Sequence, residues 1–262
     1  MKRELAVVIM AAGKGTRMKN TSMAKVMHTI GGKPMVEHVV DLALHLKASR
    51  IVAVLGWHKD SVINHLNRTG HNVTCVEQTP QLGTGHAVMQ AETPLLGFTG
   101  DVLVLSGDVP LLSKATVEGL IAYHRAAPAA STLLTAILDD PTGYGRILRD
   151  NRSSLNEGPH KVETGHVLGI VEHRDATPEQ HKIREINTGI YVFDKERLFE
   201  GLKHITDSNT QHEYYLTDVF QYFWRNHLPV RAVPVEEAFQ VQGINTVGQL
   251  DAARAEYARR KG

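Results

Sequence analysis

Short apolar runs rich in β-branched residues recur through the first half of the chain: Leu5–Met10, Ile51–Leu55, Val73–Val76 and Val102–Leu105. Longer stretches with a helical spacing of apolar residues lie between them. From Pro34 onward, Met35, Val36, Val39, Val40, Ala43 and Leu46 fall along one side of a helix, with Gly31-Gly32 marking the boundary before it. A second helix is expected over His86–Glu92. Strands that are apolar at every position, rather than at every other one, belong to parallel sheets covered on both faces. The pattern therefore predicts an α/β fold with a mixed, mostly parallel central sheet and helices on both faces.

The second half is less regular. Strand-like runs at Thr132–Leu138, Gly145–Arg149, Val167–Glu172 and Ile186–Phe193 are separated by Gly, Asp and Pro turn signals. They are expected to extend the sheet and to supply its antiparallel part. The polar stretch 151–164, with Gly158-Pro159, reads as an exposed excursion, and Val247–Lys261 as a terminal helix. Two units are expected, 1–246 as the catalytic domain and 247–262 as a C-terminal helix.

Composition narrows the possibilities. A chain of 262 residues with 42% hydrophobic and 22% charged residues can bury a sizeable core. Its formal net charge of +1 argues against a strongly basic nucleic-acid binder and leaves room for a local positive patch. Cys75 is the single cysteine, which excludes an intramolecular disulfide and a Cys-rich metal site and fits a reducing compartment. The first apolar run is interrupted by Gly13, Lys14 and Arg17, too soon for a membrane span or a signal segment. A cytoplasmic protein acting on neither membranes nor nucleic acid is expected. The 15 histidines contain no His-Glu-x-x-His pair, so they do not suggest a zinc site.

Ligands of open parallel sheets bind beyond the carboxyl ends of the strands. The first such place reads Ala11-Ala12-Gly13-Lys14-Gly15-Thr16-Arg17-Met18. Small residues and two glycines let backbone N–H groups approach phosphate oxygens, and Lys14, Arg17 and Lys25 add positive charge. The segment lacks the four-residue gap of a P-loop, and Met18 stands where a dinucleotide fingerprint wants Gly or Ala. Taken alone it also reads as a tight βα turn with surface cations.

The complete string, followed by Met23-Ala24-Lys25-Val26-Met27-His28, is similar to the signature of the sugar-1-phosphate nucleotidyltransferases. Further matches run in order along the chain: Gln78, Gln81-Leu82-Gly83-Thr84-Gly85-His86-Ala87, Gly107-Asp108-Val109-Pro110-Leu111, Gly143-Tyr144-Gly145-Arg146, Gly169 to His173, Glu185 to Gly189, Glu213-Tyr214-Tyr215-Leu216-Thr217-Asp218 and Gly243-Ile244-Asn245. From about Leu5 to Asn245 the chain resembles the uridylyltransferase domain of the bifunctional N-acetylglucosamine-1-phosphate uridylyltransferase/glucosamine-1-phosphate acetyltransferases. Two positions depart from that pattern, Ala24 where proline is usual and Ser106 where tyrosine is usual.

The resemblance implies a Rossmann-like nucleotidyltransferase fold and a reaction in which a sugar-1-phosphate oxygen attacks the α-phosphorus of UTP and releases pyrophosphate. A phosphate monoester has a second pKa of about 6, so the nucleophile is already largely anionic. The site must chiefly align reactants and offset crowded negative charge. By resemblance, Arg17 and Lys25 are catalytic cations; Met10, Ala11, Ala12, Gly13, Gly15, Gln78, Gly83, Thr84, Ser106 and Gly107 bind the nucleotide. Gly145, Glu172 and Asn187 bind the sugar, and Asp108 and Asn245 hold Mg2+. Read on its own, Asn245 is equally an N-cap, Gln78 and Glu172 are ordinary loop or strand-end residues, and Lys14 faces solvent. Tyr214 and Tyr215 read as packing residues.

The chain ends soon after Asn245, where the bifunctional relatives continue through a linker into a left-handed β-helix acetyltransferase domain. Acetyl transfer is therefore not expected, and without the trimer-forming domain a monomer is compatible with the sequence. Another sugar-1-phosphate, another pyrimidine nucleotide, or a non-catalytic nucleotide-sugar sensor remain alternatives to UTP with N-acetylglucosamine-1-phosphate.

Overall fold

The computed structural model describes residues 3–18, 22–150 and 166–261, so the expected excursion at 151–164 lies outside the described residues. The first half is β1 (Glu4–Ala11), the hairpin β2 (Thr29–Ile30) and β3 (Lys33–Pro34), α1 (Met35–His45), β4 (Arg50–Leu55), α2 (Lys59–Thr69), β5 (Thr74–Glu77), α3 (Thr84–Met89), β6 (Gly100–Ser106) and α4 (Lys114–Arg125). There follow β7 (Ser131–Ile137), β8 (Arg146–Arg149), β9 (Val167–Val171), α5 (Pro178–His181), β10 (Glu185–Asp194), α6 (Lys195–Leu202), α7 (Val219–Arg225), β11 (Val230–Pro234) and α8 (Val247–Lys261). The main sheet runs β11-β7-β10-β6-β1-β4-β5, and β8 and β9 branch from β10. Strands β6, β1, β4 and β5 are mutually parallel, while β10 is antiparallel to both β6 and β7. This is the mixed, mostly parallel sheet that the apolar runs predict.

Alternate residues of β1 enter opposite layers. Val7 and Ile9 pack with α1, α2 and α4 through Val36, Val40, Leu66 and Leu120. Ala6 and Val8 pack with α3, α6 and α7 through Val88, Leu198, Phe220 and Phe223. The expected helix over His86–Glu92 begins and ends earlier, as α3. Its start is set by Gly83, at φ +104, and Thr93-Pro94 opens a separate short turn just beyond it. Among the described residues no helix is long and apolar enough to cross a membrane.

A third apolar cluster, Met18, Ile30, Met35, Leu111, Ile244, Leu250 and Ala253, docks α8 against the β2–β3 hairpin. Thr246 and Gln249 form reciprocal bonds at the start of α8, with Gln249 N–H donating to Thr246 Oγ1 at 3.2 Å and Thr246 N–H to Gln249 Oε1 at 3.0 Å. Thr246 thereby takes the cap position and leaves the Asn245 side chain for other partners. The hairpin turn Gly31-Gly32 has positive φ at both residues, as a two-residue turn of this kind requires. A Cβ on Gly31 would lie 2.0 Å from the Tyr257 ring. Gly31→Ala is therefore expected to cost about 1–3 kcal/mol through overpacking at the α8 contact, read as a lowered urea unfolding midpoint with an unchanged m-value.

Candidate functional site

Strand register builds the site. Met10 pairs with Ser106, Ala11 with Leu55, and Leu55 with Glu77, so the segments after β1, β6, β4 and β5 emerge along one sheet edge. β4 and β5 lie on one side of β1 and β6 on the other, which makes the β1/β6 gap a topological switch point. Met10, Ala11, Ala12, Gly13, Gly15, Gln78, Gly83, Thr84 and Ser106 line one cavity of about 900 Å³ with Lys25 and Asp108. Gly107 lies beneath its wall, its N–H donating to the Met10 carbonyl at 2.9 Å. Gly15 has φ +63, and a Cβ there would meet the Lys25 side chain at 2.6 Å; the lysine stem packs directly on the glycine turn.

The charged residues converge at one end of this cavity. Lys25 Nζ donates to Asp108 Oδ2 and, at 3.0 Å, to Asn245 Oδ1. Arg17 Nη2 donates to the same Asn245 oxygen at 2.9 Å, and Ser106 Oγ donates to Asp108 Oδ1 at 2.6 Å. The Ile244 N–H donates to the Asp108 carbonyl at 2.9 Å, tying the segment before α8 to the end of β6. The Gly243 backbone packs beside this carboxylate: a Cβ there would lie 3.5 Å from Asp108 Oδ2, an ordinary van der Waals contact. One carboxylate and one carboxamide oxygen aimed at a shared cationic atom make a hard oxygen donor set of the kind Mg2+ takes. Among the described residues no group of three or more His, Cys, Asp or Glu is placed to hold a metal. An ion at Asp108 and Asn245 would complete its shell from phosphate oxygens and water.

At the opposite end, Gln78 is almost fully buried. Its Nε2 donates to the Gly83 carbonyl at 2.8 Å and contacts His86 Nδ1 at 3.2 Å. A carbonyl can only accept, so the amide nitrogen must face inward, and Oε1 is left as the acceptor available to an occupant of the cavity. Thr84 Oγ1 accepts from the Leu216 N–H at 3.0 Å, Gly85 N–H donates to Tyr214 O at 2.7 Å, and Tyr214 N–H to Leu82 O at 2.8 Å. The hydroxyl of Thr84 thus helps to hold the loop. Two residues outside the sequence-derived set also shape this end. Gln81 Nε2 braces the glycine loop through Ala12 O at 2.7 Å, and Trp57, 40% exposed on the rim, has Lys14 Nζ 5.7 Å from its ring centroid. Both follow the ends of strands β5 and β4, the positions that the strand-end rule marks for search.

Gly145, Glu172 and Asn187 come together on a separate wall: a Cβ on Gly145 would lie 3.4 Å from Glu172 Oε2 and 3.5 Å from Asn187 Cβ. Asn187 N–H donates to Gly145 O at 2.9 Å, and Asn187 Nδ2 donates to Tyr191 OH at 2.7 Å. Glu172 Oε1 accepts from Thr217 Oγ1 at 3.0 Å. Burial pushes the Glu172 carboxyl up; the Thr217 bond opposes this, and Asp218, Asp175 and Glu213 add to it. Tyr144 joins this wall to the charged centre: burial and the Asp108 charge raise its phenol, and the Arg17 charge opposes them. Tyr215 is buried and accepts from Gln211 Nε2 at 2.6 Å, as a packing residue does.

The nucleotidyl transferase family model matches residues 6–249. Bifunctional protein GlmU of Pelotomaculum thermopropionicum is 44% identical over 258 residues, covering 98% of this chain and 53% of that protein. Bifunctional protein GlmU of Halalkalibacterium halodurans is 44% identical over 253 residues, covering 97% and 52%. The chain spans about half the length of these curated relatives. A solved structure of UDP-glucose pyrophosphorylase complexed with UDP-glucose superposes with a TM-score of 0.73 at 20% identity, covering 98% of this chain and 99% of that one, and so shares the fold.

Glu172 itself lines a second cavity, of about 720 Å³, together with Asp175, Thr217 and Asp218. Burial, with the Asp175 charge adding, pushes the Asp218 carboxyl up from 3.8 to about 6. The folded chain then holds this proton more tightly than the unfolded chain, so the associated stability is full below pH 3.8 and is lost as pH rises through about 6. Asp218→Asn is expected to unfold like wild type near pH 3.5 and to be more stable by about 1 kcal/mol at pH 7.5, the full shift being reduced by solvent screening. Urea titrations across that range measure the difference.

Proposed function

The chain belongs to the nucleotidyl transferase family, and we propose that it transfers UMP from UTP to N-acetylglucosamine-1-phosphate, giving UDP-N-acetylglucosamine and pyrophosphate, with Mg2+ as cofactor. The observation that carries this reading is the cluster of Arg17, Lys25, Asp108 and Asn245 where the glycine-loop cavity meets the Gly145 wall through Tyr144. The relatives that are 44% identical over the matched half of their length are bifunctional GlmU proteins, which favours a uridine nucleotide and an aminosugar phosphate.

Each part of the chain has a task in that reaction. Gln78 Oε1 accepts a hydrogen bond from the N3–H of uracil, which the ring N3 of cytosine lacks. The glycine turn lets backbone N–H groups reach the triphosphate without side-chain interference. Lys25 and Arg17 offset the charge that grows on the departing pyrophosphate. The sugar phosphate arrives already ionised and needs no general base, so the Gly145 wall has only to orient it. Asn187 keeps one N–H and one carbonyl lone pair beyond its internal bonds, and Glu172 Oε2 faces the same space as an acceptor. Asp108 and Asn245 would hold the Mg2+, which when bound polarises phosphate oxygens and draws off negative charge.

The test is pyrophosphate release across a matrix of nucleoside triphosphates and sugar-1-phosphates. UTP with N-acetylglucosamine-1-phosphate is expected to turn over fastest, with Asp108→Ala slower by about 10²-fold or more. Faster turnover with glucose-1-phosphate would retain the chemistry and reject the aminosugar. Binding without turnover in every combination would make the chain a nucleotide-sugar sensor instead. Gln78→Ala is expected to narrow the preference for UTP over CTP by about tenfold, the equivalent of one ordinary buried hydrogen bond.

A further inference from the structure

The oxygens that would hold the metal are already engaged by the chain's own cations. Asp108 Oδ2 accepts from Lys25 Nζ, and Asn245 Oδ1 accepts from both Lys25 Nζ at 3.0 Å and Arg17 Nη2 at 2.9 Å. The remaining carboxylate oxygen, Asp108 Oδ1, accepts from Ser106 Oγ at 2.6 Å. The Lys25 ammonium therefore occupies the point on which the two ligands converge. A divalent ion bound to the same two oxygens needs a separation of about 2.0–2.1 Å from each, which leaves no room for an ammonium within hydrogen-bond distance of both. Like charge opposes the two occupants as well.

We propose that Lys25, seconded by Arg17, is the resident cation of the Asp108–Asn245 pair in the free chain, and that a divalent ion takes its place when a polyphosphate draws the two side chains away. This rests on the reading that Asp108 and Asn245 are the metal ligands. Phosphate oxygens compete well for Lys and Arg because the bonds they accept are charge-assisted. The exchange needs little movement, since the Lys25 stem is fixed against Gly15 at the glycine loop and only its tip must turn. Ion and nucleotide then bind with positive coupling, and linkage makes the effect reciprocal. The ammonium also keeps the carboxylate paired while no metal is bound.

Mn2+ binding to the whole chain, read from the electron paramagnetic resonance signal of the free ion, tests this without any turnover. Without nucleotide, Lys25→Met is expected to bind Mn2+ at least tenfold more tightly than wild type, and Lys25→Gln to follow it, because both vacate the charge while preserving much of the stem. Lys25→Arg, which keeps the charge, is expected to stay near wild type. Adding a non-hydrolysable UTP analogue, with Mn2+–nucleotide association in solution subtracted, should tighten binding to wild type by tenfold or more and to Lys25→Met by clearly less. Equal or weaker Mn2+ binding by both neutral variants overturns the proposal, as does an equal nucleotide effect in wild type and variant. Asp108→Asn separates this result from failure of the underlying reading. If it weakens Mn2+ binding while the neutral Lys25 variants do not strengthen it, only the exchange is wrong. If Asp108→Asn changes nothing in any background, the metal assignment falls and the exchange with it.

Discussion

The parallel pairing of β1 with β6 is the constraint on which the rest depends. With Met10 opposite Ser106, the glycine loop and Asp108 leave the sheet side by side. A slip of one residue would turn the alternating side chains of β1 into the wrong layers, exchanging Val7 and Ile9 with Ala6 and Val8. The two apolar layers therefore hold the polar edge in register, and the energy that does so is spread over many buried aliphatic contacts rather than invested in the site. The short contact between Lys25 and Asp108 is a result of that register.

Asn245 reaches the same point by another route. It belongs to neither strand, and its position is set by the Ile244 bond to Asp108, the Thr246–Gln249 cap and the packing of Leu250 and Ala253 under α8. Sequence positions 25, 108 and 245 are thus joined by three separate devices: a glycine turn, a strand end and a capped helix. Because Asp108 and Asn245, the proposed metal ligands, come from two of these, the spacing between them depends on the docking of α8 as much as on the sheet.

Apolar periodicity made the parallel half of the sheet and α1 legible in the sequence, because those elements bury residues in regular patterns, whereas α8, which buries only Leu250 and Ala253, was legible from its Ala- and Arg-rich composition. It left α6 and α7 unread: their buried residues Leu198, Phe199, Leu202, Val219, Phe220 and Phe223 come in short bursts of two or three, too brief to establish a period. The glycine loop and the Gly107-Asp108 turn could be placed because each follows a strong strand. What local sequence could not show is direction. The inward-facing amide of Gln78 is fixed by the carbonyl of Gly83, and the choice of Thr246 over Asn245 as cap is fixed by Gln249. Trp57 and Gln81 join the site because β4 neighbours β1 and β5 neighbours β4, a matter of strand order that no single segment contains.

The hydrogen bonds between Leu82–Gly85 and Tyr214–Leu216, two through backbone and one through the Thr84 hydroxyl, have a further consequence. The Leu82–Gly85 loop is bonded to the segment whose Thr217 holds Glu172, so one short ladder connects the Gln78 end of the cavity with the Gly145 wall. A Cβ at Gly83 would come within 2.7 Å of the Tyr214 carbonyl, which leaves this ladder little slack. With base and sugar bound as proposed, base preference and sugar preference would therefore not be independent modules. A lineage that changed one would have to repack the other, and drift in either would be confined to paired changes across the ladder.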